Sequence, residues 1–354
     1  MRWDNLTLSD ELAQDALFGV SDISTRTFDT PEFRGMTFYE VRARSILNKV
    51  PGSSRMPFRW TLNPYRGCSH ACVYCFARRT HEYLELDSGL DFNSKIVVKV
   101  NAPEMLSREL ASPRWTGEGI AMGTNVDPYQ RVEGGYRLMP GILAALRGAR
   151  NPFSILTKGT LVLRDLDLLR AAAEVTGVVV NVSVGFVDHT LWRRVEPGTP
   201  SPRARLGVCR TLVDARIGCG VLMAPILPYL TDSPGQLQET VRAIAEAGAG
   251  SVTPLVLHLR PGAREWYLAW LEREHPELVA RYQELYGAGA YAPKEYRQRI
   301  SGQVAALARH YGIGAGPPGE PSRRPDPRTA ERTGARPEST SATTNSRADQ
   351  LTVL

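Results

Sequence analysis

The sequence predicts an α/β fold, with a parallel sheet covered on its faces by helices. From residue 60 onward, short and nearly continuous apolar runs alternate with amphipathic stretches of helical period. The runs have strand length and no polar face, as strands buried on both sides do. The amphipathic stretches open at Ser, Asn and Pro start signals. With 354 residues, 42% of them hydrophobic, the chain can bury a core without covalent staples.

Residues 1–55 mix short apolar groups with charge, and "TFYEVRARSILNKVPGSSR" reads as a short structured leader followed by a flexible approach. "FRWTLNP" (58–64) is a strand and "KIVVKV" (95–100) a short one. "NAPEMLSRELA" opens with a cap-like Asn101 and a Pro in the first turn, so a helix follows. "GIAMGT" (119–124) is a strand, then "YRLMPGILAALRGA" a helix. "FSILTK" (153–158) is a strand and 161–174 a helix. "GVVVNVSVG" (177–185) is a strand and 202–217 a helix. "CGVLMAPILP" (219–228) is a strand, and 233–248 a helix that starts at Ser233 with Pro234 behind it. "SVTPLVLHL" (251–259) closes the series. Residues 56–260 thus form a core of six β/α units, the first beginning at "FRWTLNP". Residues 261–313 read as a C-terminal extension of three helices rich in aromatics and arginine. Residues 314–354 are Pro-, Arg-, Ser- and Thr-rich with almost no large apolar groups, and are expected to be disordered.

The stretch "NPYRGCSHACVYCF" (63–76) holds three of the five cysteines, Cys68, Cys72 and Cys75, spaced C-x3-C-x2-C. Three thiols in eight residues cannot all pair, and disulfide stapling belongs to small secreted domains. The N-terminal stretch is polar and acidic where a secretory signal would be apolar. The longest uncharged apolar run, "CGVLMAPILPYL", is well short of the roughly 20 residues that span a bilayer. The expectation is a cytoplasmic protein with no membrane segment, whose clustered thiols hold metal. Zinc in a structural site wants four ligands, and only His70 offers itself as a fourth. A [4Fe–4S] cube is normally held by four cysteines, so three would leave one iron open to a cofactor. Gly67 relieves the backbone at the turn, and Arg66 is expected to help keep the thiolates ionised.

C-x3-C-x2-C followed by an aromatic, here Phe76, resembles the signature of the radical SAM superfamily. The wider "NPYRGCSHACVYCFARRTHEYL" resembles its spore photoproduct lyase and "DNA repair photolyase"-like branch, over about residues 55–260. The resemblance implies a partial (β/α)6 TIM-like barrel with its site at the C-terminal ends of the strands. It implies a [4Fe–4S] cluster on Cys68, Cys72 and Cys75, and S-adenosylmethionine (SAM) as cofactor. It also implies a low-potential electron donor such as ferredoxin or flavodoxin. Phe76 follows the last ligand. After the second strand of the core, "GTNVDPYQ" offers Thr124, Asn125 and Asp127 for the methionine amine of SAM. Equally, this is a capped turn. Lys158, ending the third strand, is the candidate for the SAM carboxylate. Ser183 on the fourth reaches toward ribose or methionine, with backbone-bonded core polar groups as the competing account. Ala224 on the fifth offers its backbone to adenine.

Three classes of function follow: a SAM-cleaving radical enzyme, a zinc-stapled nucleic-acid-binding or structural protein, and a cluster protein that only transfers electrons. The net charge of +6 suits an anionic partner such as nucleic acid, although several arginines fall in the tail. Photoproduct lyases use a cysteine as hydrogen donor near the end of the second strand, and this chain has no cysteine between Phe76 and Val208. Cys209 and Cys219 read as small buried hydrophobes. Arg203, His258 and Arg260 are candidates to line the substrate opening. No catalytic residue is assigned.

Overall fold

The computed structural model describes residues 6–7, 24–28, 30–52, 54 and 56–314. The strands are β1 (Leu6–Thr7), β2 (Ser24–Arg26), β3 (Thr37–Ala43), β4 (Leu47–Lys49), β5 (Trp60–Leu62) and β6 (Tyr65–Arg66). They continue as β7 (Lys95–Lys99), β8 (Ile120–Met122), β9 (Phe153–Thr157), β10 (Val178–Ser183), β11 (Gly218–Ile226) and β12 (Ser251–Val256). The helices are α1 (Leu90–Ser94), α2 (Ala102–Leu110), α3 (Glu133–Tyr136), α4 (Leu138–Gly148), α5 (Leu166–Ala173) and α6 (His189–Val195). They continue as α7 (Pro202–Asp214), α8 (Pro234–Glu246), α9 (Ala263–Glu274), α10 (Val279–Tyr286) and α11 (Lys294–His310).

The main sheet has the order β12-β11-β10-β9-β8-β5-β4. Neighbours from β5 to β12 are parallel, and β4 lies antiparallel on the β5 edge. These six parallel strands make the partial (β/α)6 barrel, and helices fill the crossovers between them. Burial on both faces explains the strand sequences. Val180, Asn181, Val182 and Ser183 are all buried on β10, as are Val221, Leu222 and Met223 on β11.

The short strand at 95–100 does not join the barrel. As β7 it pairs parallel with β3 from the leader and antiparallel with β6, in a second sheet. The leader thereby joins both sheets, through β3 and β4. The expected disorder of the tail falls on residues that, from 315 onward, lie outside the described set. The three helices of the extension are α9, α10 and α11. Helix α11 packs on α8 and β12, and α9 on the short 3-10 turn Phe76–Thr80. Among the described residues no helix is long and apolar enough to cross a membrane.

Of the two helix starts read by residue, Ser233 holds and Asn101 does not; the Ser201 cap was not read in the sequence. Ser233 forms a capping box with Gln236 ahead of Pro234, and Ser201 caps α7 ahead of Pro202. Asn101 does not cap α2. Its amide instead accepts from Ala43 N at 2.7 Å and donates to Ala43 O at 2.9 Å, tying the helix start to β3. That partner comes from 58 residues away, beyond any local reading. Helix α6, capped by Asp188, was not anticipated.

Replacing Ser233 with Ala removes the cap and should destabilise the protein by about 1 kcal/mol, read as a shift in the urea midpoint with an unchanged slope.

Candidate active site at the cysteine loop

The loop leaves the C-terminal end of β5 and is fixed along its length. Strand β6 anchors its start on β7. Gly67 has φ +83°, and a Cβ there would stand 2.8 Å from the His81 ring and 3.0 Å from Lys95 O. Cys68 N donates to Phe92 O at 3.0 Å, Ala71 N to Cys68 O at 3.2 Å, and Cys75 N to Cys72 O at 3.3 Å. The fully buried amide of Gln130 spans the first cysteine, donating to Gly67 O at 3.0 Å and accepting from Ser69 N at 2.8 Å. On the far side, Gly198 N donates to His70 O at 3.0 Å. A Cβ on Gly198 would lie 2.1 Å from Ser69 O, so only glycine permits this approach. Gln130 and Gly198 were missed in the sequence, where a lone Gln after a turn and a Gly between prolines look like ordinary loop residues.

Asp127 lies under the loop with all its hydrogen bonds made to the protein. One oxygen accepts from Tyr129 N at 2.9 Å and Thr157 Oγ1 at 2.6 Å. The other accepts from Lys158 N at 2.6 Å and meets His70 Nε2 at 3.0 Å. Burial pushes this carboxyl up, but His70, Thr157 and the Lys158 amide together hold it below its ordinary range. His70 is committed as well, with Nδ1 at 3.2 Å from Gly198 O. Neither ring nitrogen is left for a metal.

A buried charge cluster lies beneath Cys72. Lys158 Nζ donates to Ser183 Oγ, sits 3.8 Å from Glu196 and lies over the Tyr74 ring at 5.8 Å. Ser183 Oγ in turn donates to Ala224 O at 3.1 Å. Lys158, Ser183 and Ala224 therefore meet in one hydrogen-bonded line across β9, β10 and β11. Glu196 accepts from Tyr74 OH and pairs with Arg205, whose other nitrogen donates to Ser183 O at 2.7 Å. Burial raises the Glu196 carboxyl, yet Arg205 and Lys158 bring it below its usual value. Arg205 and Glu196 were not singled out in the sequence. The available signal was an arginine on the buried stripe of α7 with Cys209 and Leu212, at i, i+4 and i+7.

The other candidates fall as follows. Asn125 is exposed and Thr124 half-buried; Asn125 N and Thr124 Oγ1 lie 3.3 and 3.5 Å from Asn63 Oδ1 at the head of the loop. Phe76 packs edge-on to His258, ring centroids 5.4 Å apart, with Arg260 5.9 Å from its centroid. Arg203 is exposed on α7. Arg66 faces Tyr83, and the cations that act on the thiols are Lys158, Arg78 and Arg205. The reason is the pleat: Tyr65 goes into the core, so its neighbour Arg66 turns the opposite way. Cys209 and Cys219 are both buried and free, and the Cys219 thiol donates to Gly220 O at 3.7 Å.

Burial pushes all three loop thiols up, Cys72 to about 12. Cys68 also feels the charges of Cys72 and Cys75, and Cys72 that of Cys75, so the loop holds its thiols near one another. A family model described as the radical SAM superfamily matches residues 62–252 of this chain. The chain belongs to the radical SAM superfamily. A radical SAM chain of this kind is an enzyme, and the superfamily's cofactors are a [4Fe–4S] cluster and SAM. An uncharacterised protein of Mycobacterium tuberculosis is 51% identical over 297 residues, covering 84% of this chain and 87% of that one. An uncharacterised protein of Methanocaldococcus jannaschii is 29% identical over 203 residues, 57% of this chain and 72% of that one. Among solved structures, a spore photoproduct lyase variant with bound AdoMet and dinucleoside spore photoproduct superposes with a TM-score of 0.60. It is 16% identical, over 78% of this chain and 79% of that one, a likeness of fold. Another spore photoproduct lyase structure, complexed with dinucleoside spore photoproduct, gives 0.59.

The donor set fits a radical SAM cluster better than zinc. Among the described residues no three His, Cys, Asp or Glu side chains are arranged to hold a single metal ion. A structural zinc needs such a point of convergence, whereas a [4Fe–4S] cube spreads its thiolates over separate irons.

Replacing Glu196 with Ala strands the Arg205 charge in the interior and should cost about 3–5 kcal/mol in urea denaturation at pH 7. Asp127 and Glu196 are held low in the fold, so their contribution is full above the unfolded carboxylate range. Stability should decline once the pH drops below about 5 and keep declining through the lower folded values, read as urea midpoints against pH.

Proposed function

We propose that this enzyme cleaves SAM reductively and uses the resulting radical to abstract hydrogen from a substrate, with Cys68, Cys72 and Cys75 as the cluster ligands. The observation that carries this reading is the set of three free cysteines, Cys68 and Cys72 buried and Cys75 half-buried, on a locked loop at the C-terminal end of a parallel sheet. When bound, the reduced [4Fe–4S] cluster supplies one electron to the sulfonium of SAM, giving methionine and a 5′-deoxyadenosyl radical. The protein supplies binding, orientation and exclusion of side reactions.

Lys158 is the candidate for the methionine carboxylate. Its hydrogen-bond partner Ser183 is neutral, and Glu196, 3.8 Å away, is already paired with Arg205, so the ammonium keeps charge to offer. Thr124 and Asn125, turned toward Asn63, are the candidates for the methionine amine. We assign Asp127 a positioning role instead, since its oxygens are taken by His70, Thr157 and two backbone amides. Ser183 and Ala224 would serve the ribose and adenine side, and Phe76 the ring beyond Cys75. We treat residues 1–55 as leader, 56–260 as the core and 261–313 as the extension. An electron donor of the ferredoxin or flavodoxin class would reduce the cluster.

The hydrogen-donating cysteine of photoproduct lyases has no counterpart here. Cys219 is near the N-terminal end of β11, opposite the strand ends that carry the loop, and its thiol donates to Gly220 O at 3.7 Å. The reading therefore names hydrogen abstraction and not thymine-dimer repair.

Anaerobic reconstitution with iron and sulfide, followed by dithionite reduction, should give an EPR signal that changes on adding SAM, with 5′-deoxyadenosine formed. Cys72→Ala should lose the cluster. Colourless protein carrying stoichiometric zinc, or a cluster signal indifferent to SAM, would sink the proposal.

A further inference from the structure

Cys75 is flanked in the chain by two aromatic residues, and each carries its own cation. Lys158 lies over the Tyr74 ring at 5.8 Å, and Arg260 over the Phe76 ring at 5.9 Å. The two cations stand in different surroundings. Lys158 belongs to the Glu196–Arg205 cluster. Arg260 donates to the neutral hydroxyl of Tyr291 at 3.1 Å, and among the described residues no carboxylate pairs with it.

Beside Arg260, the ring of His258 is wedged between Phe76, at 5.4 Å, and Tyr291, at 5.7 Å. Its Nδ1 is buried without a hydrogen-bond partner. A buried polar atom of this kind in a native fold calls for an explanation, and a ligand is one of the few available. Burial, then the adjacent Arg260, push the imidazole down to about 4, so at neutral pH it adds no charge of its own. Arg260 lies against Phe76 and Arg297 lies over the Tyr291 ring at 5.8 Å, so the charge of this face is cationic.

Tyr291 comes from the extension and is held firmly. His258 and Tyr291 form an antiparallel bridge, and Leu259 N donates to Ala290 O at 2.7 Å. Arg264 donates to Gly287 O at 2.5 Å and Gly289 O at 2.9 Å, pinning the turn that leads into it.

Charge accounting decides what this face is for. SAM carries one anionic group, its carboxylate, and the reading above gives that group to Lys158. The adenosyl part has no anion to offer Arg260. We propose that Arg260, His258 and Tyr291 form a substrate-recognition face, in which Arg260 takes an anionic group of the substrate, a phosphate or a carboxylate. The inference rests on the proposed SAM chemistry for its division of roles. It makes the extension part of the specificity apparatus, with Tyr291 orienting the guanidinium.

The test uses holoenzyme with its reduced, paramagnetic cluster and bound SAM, and two probes, inorganic phosphate and 13C-labelled acetate. An anion held at Arg260 relaxes faster because the cluster is near. The 31P or the 13C carboxylate relaxation rate should rise on cluster reduction, and the probe with the larger effect identifies the anion. Arg260→Gln should weaken that effect about tenfold or more, and Arg260→Lys should restore part of it. Lys158→Gln should lose the SAM-induced EPR change and keep the anion effect. No enhancement in the wild type with either probe overturns the inference, as does full enhancement in Arg260→Gln. If Arg260→Gln instead abolishes the SAM-induced EPR change, Arg260 is a cofactor ligand and the inference falls while the SAM reading stands. A wild type with the anion effect but no response to SAM sinks the cofactor reading alone.

Discussion

The carboxylate of Asp127 joins three elements at one point. It gathers the Cys68–Cys72 turn through His70, the end of β9 through Thr157 and the Lys158 amide, and its own turn through Tyr129 N. Burying a carboxylate is costly, and what offsets it here is four hydrogen bonds to donors that are themselves buried or half-buried. The arrangement works in both directions. Remove the carboxylate and each of those donors loses its acceptor, at about 1–3 kcal/mol for every one left buried. The cysteine loop, which has little regular structure of its own, thereby takes its rigidity from the sheet below it.

The second constraint is charge in a dry space. Glu196, Arg205 and Lys158 share one buried cluster, and a carboxylate cannot neutralise two cations fully. Arg205 holds the tighter contact, with Glu196 wholly buried beside it. Lys158 stands further off and bonds to a hydroxyl, which leaves its ammonium the more available of the two. At Cys72 burial and the Glu196 charge favour the neutral thiol while Lys158 and Arg205 oppose them, and at Cys75 Arg78 and Lys158 oppose burial. The same positive charge is available to the loop thiolates and to an anion that enters beside them.

The barrel was legible in the sequence because its strands are buried on both faces and so appear as apolar runs. The three loop cysteines stood out because their spacing is local. The supports of the site were not. Gln130, Gly198 and Glu196 reach the loop from 61 to 128 residues away, and no local pattern marks them. Arg66 illustrates a different failure. It is adjacent to the loop in sequence, but the two-residue period of β6 turns it away from the thiols. Asn101 has the composition of a cap, and β3 recruits its amide instead. In each case a contact distant in sequence overrode a sound local preference.

The open barrel has one more requirement, and the extension meets it. An unclosed sheet leaves β12 with unpaired backbone on its outer edge, a template for unwanted strand pairing. Here the chain that follows occupies that edge at both ends: Gly314, just past the extension, bridges Ser251 in parallel, and 290–291 of the extension pairs with the chain at 258–259. Tyr286 and Tyr282 add hydrogen bonds to Leu257 O and Pro228 O, at 2.6 and 2.7 Å, just past the ends of β12 and β11. Covering the edge at the mouth of the barrel brings Tyr291 against His258 and Arg260, which flank Phe76. One packing solution therefore protects the sheet and builds a wall beside Cys75, so changes in the 287–291 turn would alter edge protection and site shape together.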